Sequence, residues 1–189
     1  MATPAQRPMR ADARRNYQRL LQEAKAAFLE HGAEAPLEEI ARRAGVGIGT
    51  LYRHFPTRQA LLEALYVDEV TEVCHTAGQL DGSDPWEALN SWFDRVIAYM
   101  ATKQALSHEL LNYLDRDAAL FQSCRAALFA AGEPLLQRAQ EAGAVRSDVT
   151  IAQVIQMVMA ITKAPASDPE QSRHLVQIAL DGLRHRPQE

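Results

Sequence analysis

The chain has 189 residues, 47% of them hydrophobic, and a formal net charge of −4 at pH 7. A chain of this length buries a sizeable core without disulfides or metals, so we expect one or two domains. The two cysteines, Cys74 and Cys124, are far apart and have no C-x-x-C partner, which argues against a disulfide framework or a zinc cluster. We predict that both are buried free thiols in a reducing compartment.

The sequence gives no sign of a membrane partner. Its longest apolar stretches, around 61–67 and 154–161, are much shorter than the roughly 20 residues that a membrane-spanning helix needs. No apolar segment follows the arginines near the N-terminus, so the pattern of a secretory signal is missing. We therefore expect a cytoplasmic protein, and no sequence feature requires a cofactor or a metal.

Charge is divided unevenly along the chain. Residues 1–62 contain 10 Lys and Arg against 6 Asp and Glu, a net charge of +4, whereas residues 63–189 have a net charge of −8. A basic segment gains free energy from counterion release when it binds nucleic acid, and an acidic segment is repelled by the phosphates. The N-terminal third is therefore a candidate DNA-binding region, with a chance asymmetry of solvated helix faces as the alternative.

Apolar residues recur every three or four positions along almost the whole chain, and strand-like alternation is nearly absent, so the sequence predicts an all-α fold. Residues 1–10, which contain Pro4 and Pro8, are predicted to form a disordered arm. Gly32 and Gly45 are predicted to end the first two helices. The predicted helices cover about 12–31, 36–44, 47–54, 57–78, 85–100, 103–114, 117–142, 148–163 and 168–184.

Two short predicted helices meet at a tight turn in residues 37–55, LEEIARRAGVGIGTLYRHF. The turn, Gly45-Val46-Gly47, gives the arrangement typical of a helix-turn-helix. Ala41 must be small, because the second helix crosses close to it. The residues that hold the two helices together face inward; they are Ile40, Ala44, Val46, Leu51 and Phe55. The outer face of the second helix is therefore available to contact DNA.

These residues resemble the DNA-binding domain of the TetR family. The family pattern is roughly I-A-x-x-A-G-V-S-x-G-T-[LI]-Y-x-[HY]-F, followed by a basic residue and A-L-L, and residues 40–62 match nearly all of it. The resemblance covers about residues 12–65. It implies a helix-turn-helix domain over 11–56, joined by a long helix to a helical effector-binding and dimerisation domain over 57–189.

The resemblance also implies DNA contacts for individual residues. Tyr52 and His54 match positions that contact phosphate, and Thr50 matches a contact to phosphate or base. Arg58 matches the basic residue at the start of the fourth helix, where a helix N-terminus favours anions. For Tyr52 the alternative is an ordinary core aromatic residue.

Operator choice is expected where the family varies, at Ile48, Gly49 and Arg53. The planar fork of Arg53 fits the O6/N7 edge of guanine, and a contact to backbone phosphate is an equal alternative.

The sequence departs from the family pattern at the start of two helices. Gly47 replaces the usual hydroxylated N-cap of the recognition helix, and Pro36-Leu37 replaces hydroxylated residues at the start of the second helix.

The C-terminal half resembles the C-terminal domain of the SbtR-like branch of TetR regulators. The segments WEALNSWFDRVIAYMATK, ELLNYL and LLQRAQEAGAVRSDVT carry this resemblance, which covers most of residues 84–163 through apolar positions. It implies a small-molecule pocket between helices, and an ordinary core or surface role is the alternative for each residue. The predicted pocket residues are Trp92, Phe93, Tyr99, His108, Asn112, Phe121, Arg125 and Met157.

The last two predicted helices are strongly apolar on one side. Apolar residues lie at Val154, Ile155, Val158 and Ile161 in the first helix, and at Leu175, Val176, Ile178, Ala179 and Leu183 in the second. The family resemblance implies that such a pair meets its twofold mate in a four-helix bundle. We therefore predict an isologous homodimer.

The sequence favours a repressor that binds a palindromic operator in double-stranded DNA and is released by a small-molecule effector of unknown identity. One alternative is a regulator of the same fold without an effector, controlled by a partner protein or acting as an activator. Another is an enzyme with an all-α pocket. The enzyme is disfavoured because the histidines form no H-x-x-x-H pair, and no phosphate loop or nucleophile elbow is present.

Overall fold

The computed structural model describes residues 6–80, 82–115, 118–163 and 169–184, with the backbone alone for 6–10, 33, 105, 107, 108 and 169. Within these ranges the chain forms eight α-helices, and a short 3-10 helix, Gly32–Glu34, connects the first two. In chain order the helices are α1 Gln6–His31, α2 Leu37–Arg43, α3 Ile48–His54, α4 Arg58–Gln79, α5 Pro85–Leu110, α6 Ala119–Glu141, α7 Ile151–Lys163 and α8 Pro169–Asp181. The all-α prediction is confirmed.

The chain divides into two compact units. The first consists of Met1–Asp68 with Thr102–Arg116, and the second of Glu69–Ala101 with Asp117–Glu189. Both α4 and α5 therefore contribute residues to each unit. The sequence placed a domain boundary between residues 56 and 57, whereas here the start of α4 belongs to the first unit.

In the first unit, the apolar stripe of α1 packs with α2 and α3. The buried side chains of this core are Leu20, Leu21, Ala24, Ala27, Phe28, Ile40, Ala41, Leu51 and Phe55. Gly32 and Gly45 have φ values of +57° and +67°, which is the left-handed conformation. This conformation is unfavourable for residues that have a Cβ, and it ends a helix. Both predicted helix ends are confirmed.

The second unit contains α6, α7, α8 and the first part of α5. The indole of Trp92 is completely buried, and its Nε1–H donates to the Val73 carbonyl at 3.1 Å. The loop between α6 and α7 is held by Gln140, whose amide donates to the carbonyls of Arg146 and Val149 at 3.0 and 2.9 Å. The Arg146 amide in turn donates to the Leu183 carbonyl beyond α8, at 2.9 Å.

Two predicted helix boundaries are wrong. The sequence indicated separate helices over 85–100 and 103–114, but α5 runs unbroken from Pro85 to Leu110. Residues 101–104 contain no glycine or proline that would stop it. Helix α1 begins at Gln6 instead of near Asp12, so residues 6–10 of the predicted arm are helical. Pro8 is compatible with this start because amides of the first turn have no helical partner; residues 1–5 lie outside the described residues.

The lengths and apolar character of the described helices bear on membrane insertion. None of them is both long enough and apolar enough to cross a bilayer.

Candidate nucleic-acid interface

The turn between α2 and α3 is fixed by backbone hydrogen bonds. The Gly45 amide donates to the Arg42 carbonyl at 3.1 Å, and the Val46 amide donates to the Ala41 carbonyl at 3.0 Å. With Gly45 in the left-handed conformation, these bonds reverse the chain within a few residues. The predicted helix-turn-helix is therefore present in the fold.

Both helices of the motif begin without a side-chain cap. Gly47 is the N-cap of α3 and Pro36 is the N-cap of α2, and neither position makes a side-chain capping bond. The Gly47 carbonyl still accepts the amide of Thr50 at 2.8 Å, which closes the first turn of α3. The amides at the start of α3 therefore lack the acceptor that a serine or threonine would supply.

The recognition helix α3 has one buried and one exposed face. Leu51 is completely buried, whereas Ile48 is 37% exposed and Tyr52 is 45% exposed. Gly49 and Arg53 are also exposed, and Thr50 and His54 are half-buried. The exposed face of α3, formed by Ile48, Gly49, Tyr52 and Arg53, is an apolar, aromatic and basic surface of the kind that contacts a DNA groove.

His54 is held against α1 by aromatic packing. Its ring meets the ring of Tyr17 edge-on, with centroids 5.9 Å apart, and Tyr17 also packs on Phe55 at 5.0 Å. Burial and, to a lesser extent, the negative charge of Asp68 raise the pKa of Tyr17, so its hydroxyl stays neutral near pH 7. No motif in the sequence indicated that Tyr17 supports the end of α3.

Helix α2 carries a partly buried ion-pair cluster. Arg42 donates to both carboxylate oxygens of Glu39, at 2.6 and 2.8 Å, and Arg43 donates to Glu39 at 2.9 Å. Arg43 also pairs with Glu30 of α1 at 2.8 Å. The hydrogen bonds from Arg42 and Arg43 lower the pKa of Glu39 to about 2. Glu39 is therefore ionised at neutral pH and neutralises part of the positive charge of α2.

A row of arginines continues the basic surface along α1. Arg14, Arg15 and Arg19 lie on one exposed side of the helix and, with Ala11 and Gln18, line a cavity of about 510 Å³. Arg15 is bonded to Asp12, and Arg19 donates to the Asn16 side chain at 2.6 Å. The guanidinium of Arg19 lies near the Gly45 turn, 3.8 Å from the position that a Cβ would occupy there.

Arg58 points into the first unit, although the resemblance implied a DNA contact for it. Its Nη1 donates to the Ala35 carbonyl at 2.7 Å, and its guanidinium lies 5.0 Å from the centroid of the Phe28 ring. Its Nε is 3.5 Å from Oε1 of Glu109 in α5. No sequence signal connects Arg58 with Glu109, because the two residues are far apart along the chain.

The predicted pocket residues belong to both units. Trp92, Phe93 and Tyr99 are completely or almost completely buried, and Phe121 and Met157 are half-buried. Arg125 is exposed on α6. The exposed Asn112 lies in the first unit instead, where its amide donates to Glu109 at 3.2 Å. The side chain of His108 lies outside the described residues.

Comparisons with known proteins agree with the two sequence resemblances. Residues 20–65 match the family described as bacterial regulatory proteins, tetR family, and residues 84–185 match the C-terminal domain of SbtR-like transcriptional regulators. The Tn10 TetC protein of Escherichia coli is 31% identical over 86 residues, which are 44% of each chain. An HTH-type transcriptional regulator of Staphylococcus aureus is 44% identical over 54 residues, 28% of this chain and 29% of that protein. Each of these two matches spans less than half of the relative's own length.

Solved structures extend the similarity to nearly the whole chain. A TetR transcriptional regulator from Streptomyces coelicolor is 36% identical with a TM-score of 0.80, over 89% of this chain and 98% of that one. A TetR transcription regulatory protein from Mycobacterium vanbaalenii is 38% identical with a TM-score of 0.76, over 94% and 99%. Since the SbtR-like match alone covers more than half of the sequence, the chain belongs to the TetR family of DNA-binding transcriptional regulators and is not an enzyme.

Proposed function

We propose that the protein is a repressor that binds a palindromic operator as a homodimer and is released by a small molecule. The observation that carries this proposal is the division of α3 into a buried side at Leu51 and an exposed side at Ile48, Tyr52 and Arg53. A helix anchored on one side by its neighbours presents the other side rigidly to the major groove.

The residues of α3 receive distinct roles in this proposal. Arg53 contacts guanine or backbone phosphate through its guanidinium, and the Tyr52 hydroxyl contacts phosphate. At the edge of the exposed face, Thr50 contacts phosphate or a base, and His54 contacts phosphate. Ile48 and Gly49, which are exposed at the start of α3, contribute to operator choice through shape and apolar contact.

An exposed apolar face on α8 supports the homodimer. Leu175 and Ile178 are 43% and 55% exposed, and the half-buried Ala179 lies beside them. The opposite side of α8, at Val176 and Leu180, is buried within the unit, so these exposed residues are not needed for the core of one protomer. An isologous contact between two such faces would bury them.

Release by an effector requires a ligand that prefers a state unsuited to the operator. The half-buried Phe121 and Met157 in the second unit are candidates for contact with such a ligand. The dimer would act in the cytoplasm. Raised melting temperatures in the presence of a metabolite library would identify the effector by mass action.

A second candidate is a regulator of the same fold without a small-molecule effector, controlled by a partner protein or acting as an activator. The packing of Trp92 favours it, because this predicted pocket residue is completely buried and already donates its hydrogen bond to Val73. A metabolite library that leaves the melting temperature unchanged would support this second candidate.

Selection of duplexes from a randomised pool by the full-length protein tests DNA recognition. We expect enrichment of a palindrome whose half-site centres lie about 10 to 10.5 base pairs, or a multiple of this, apart. A pool that shows no enrichment after repeated rounds would contradict sequence-specific binding, and an enriched single half-site would contradict the dimer.

A further inference from the structure

Arg58 joins four segments of the first unit. It is the first residue of α4, its Nη1 donates to the carbonyl of Ala35 just before α2, and its guanidinium lies over the ring of Phe28 in α1. Its Nε pairs with Glu109 near the end of α5. Only 22% of the Arg58 side chain is exposed, so most of this cation faces protein and not solvent.

Glu109 is built into the first unit as a buried carboxylate. The residue is 9% exposed, and its other partners come from the turn that follows α5. The amide of Asn112 donates to its Oε2 at 3.2 Å, and the hydroxyl of Tyr113 donates to its Oε1 at 3.5 Å. Among the described contacts, Arg58 provides the cation that compensates this charge, and removing one member of such a pair is costly.

Arg58 would have to give up its observed contacts in order to bind a phosphate. To reach a phosphate, the guanidinium would have to leave the Ala35 carbonyl and the Phe28 ring, and the Glu109 carboxylate would lose its cation. A lysine would serve a phosphate almost as well as an arginine does. The observed site instead uses the planar fork, which bonds to a carbonyl and stacks on an aromatic ring at the same time.

We propose that Glu109 is a positioning residue for DNA binding, which acts through Arg58. By holding Arg58 against Ala35, Glu109 fixes the start of α4 relative to the entry into α2, and therefore sets the orientation in which α3 faces DNA. This inference rests on DNA binding through α3, as proposed above. Glu109 itself, an acidic residue, makes no favourable contact with phosphates.

The test compares Glu109→Gln, Arg58→Gln and Arg58→Lys with the wild type on the duplex that selection enriches. We expect each variant to lose affinity, by about tenfold for Glu109→Gln, with the salt dependence of binding unchanged. Simple electrostatics predicts the opposite sign for Glu109→Gln, because the variant has one negative charge fewer. The matched control is Glu87→Gln, which removes an exposed carboxylate from the same helix.

Two results of this binding comparison would overturn the inference. One is a fall of about 1.8 in the slope of log affinity against log salt concentration for Arg58→Gln, because each protomer of the dimer would lose one phosphate contact, together with full affinity of Arg58→Lys. This result would identify Arg58 as a phosphate contact. The other is wild-type or higher affinity of Glu109→Gln. If Glu109→Gln fails to fold, Asn112→Ala, which removes one bond to the carboxylate, is expected to lower affinity in the same direction; unchanged affinity of this variant would count against the inference.

Hydrogen exchange of the protein alone separates this inference from the proposed function. We expect Glu109→Gln and Arg58→Gln to accelerate amide exchange in residues 37–44 and to leave α6 and α7 unchanged. Unchanged exchange in 37–44 would overturn the positioning role even if α3 binds DNA. A wild-type protein that selects no duplex would instead contradict the proposed function. In that case the amide exchange of residues 37–44 would still show whether the Arg58–Glu109 pair orders this segment.

Discussion

Gly132 of α6 lies directly against the indole of Trp92. A Cβ added to Gly132 would stand 2.4 Å from Cη2 of Trp92 and 2.9 Å from Cδ1 of Ile151. Contacts this short require the ring or the helix to move, and the completely buried indole is held by its bond to Val73. The absence of a side chain at Gly132 is therefore what lets α6 approach α5 and α7 so closely.

Gly132→Ala is expected to destabilise the protein by about 1 to 3 kcal/mol through overpacking, despite the better helix propensity of alanine. Thermal unfolding measures the effect. Gly78→Ala is the matched control, because Gly78 lies within α4 with no atom within 4 Å of an added Cβ. It should stabilise by up to about 1 kcal/mol. Equal shifts of the two melting temperatures would contradict the close packing.

Thr57 caps α4 by accepting the Ala60 amide on Oγ1 at 3.0 Å. Thr57→Ala is expected to cost about 1 kcal/mol because an amide of the first turn loses its acceptor. Thr57→Ser keeps the hydroxyl and should unfold close to the wild-type temperature. If alanine and serine are equally tolerated, the cap contributes nothing to stability.

The depressed pKa of Glu39 predicts a pH-dependent contribution to stability. Because its pKa falls from 4.5 to about 2 in the folded protein, the ion pairs with Arg42 and Arg43 stabilise the fold above pH 4.5 and are lost as the pH falls toward 2. The difference in melting temperature between the wild type and Glu39→Gln should therefore shrink over that range. Salt at 1 M should also reduce it, because screening weakens exposed pairs. A difference independent of pH would disprove the linkage.

The exposed face of α8 predicts how the dimer can be broken. Leu175→Asp combined with Ile178→Asp places two charges on the proposed interface, and burial of unpaired charge is costly. Analytical ultracentrifugation should show a monomer with wild-type helix content. The matched control is Leu29→Asp, which places a charge on a leucine of α1 that is 49% exposed, and this variant should remain a dimer. A dimer that survives both α8 substitutions would place the interface elsewhere.

Local signals in the sequence predicted the recognition motif well, because each part is fixed by nearby residues. Gly45 was predicted to stop α2, and its φ of +67° confirms this. Gly47 was predicted to leave α3 without a side-chain cap, which is also confirmed. Turns and caps depend on the residues within one helical turn, so a single sequence contains the information.

Features that depend on distant residues were not predictable in the same way. The continuity of α5 through 101–104 depends on its packing, since the sequence there has neither a strong helix stop nor a strong reason to continue. The Arg58–Glu109 pair joins residues that no short motif connects. Periodicity likewise identified the apolar side of α8 but did not separate the buried Val176 from the exposed Ile178.

The affinity of a variant with Tyr52→Ala and Arg53→Ala for the selected duplex tests the central claim most directly. If α3 faces the groove, this variant should lose at least about tenfold in specific affinity, since each good contact contributes about 1 to 3 kcal/mol. It should keep the wild-type helix content, because both side chains are exposed. Arg125→Ala, which removes an exposed cation from α6, should bind like the wild type. Undiminished specific binding by the α3 variant would contradict the account.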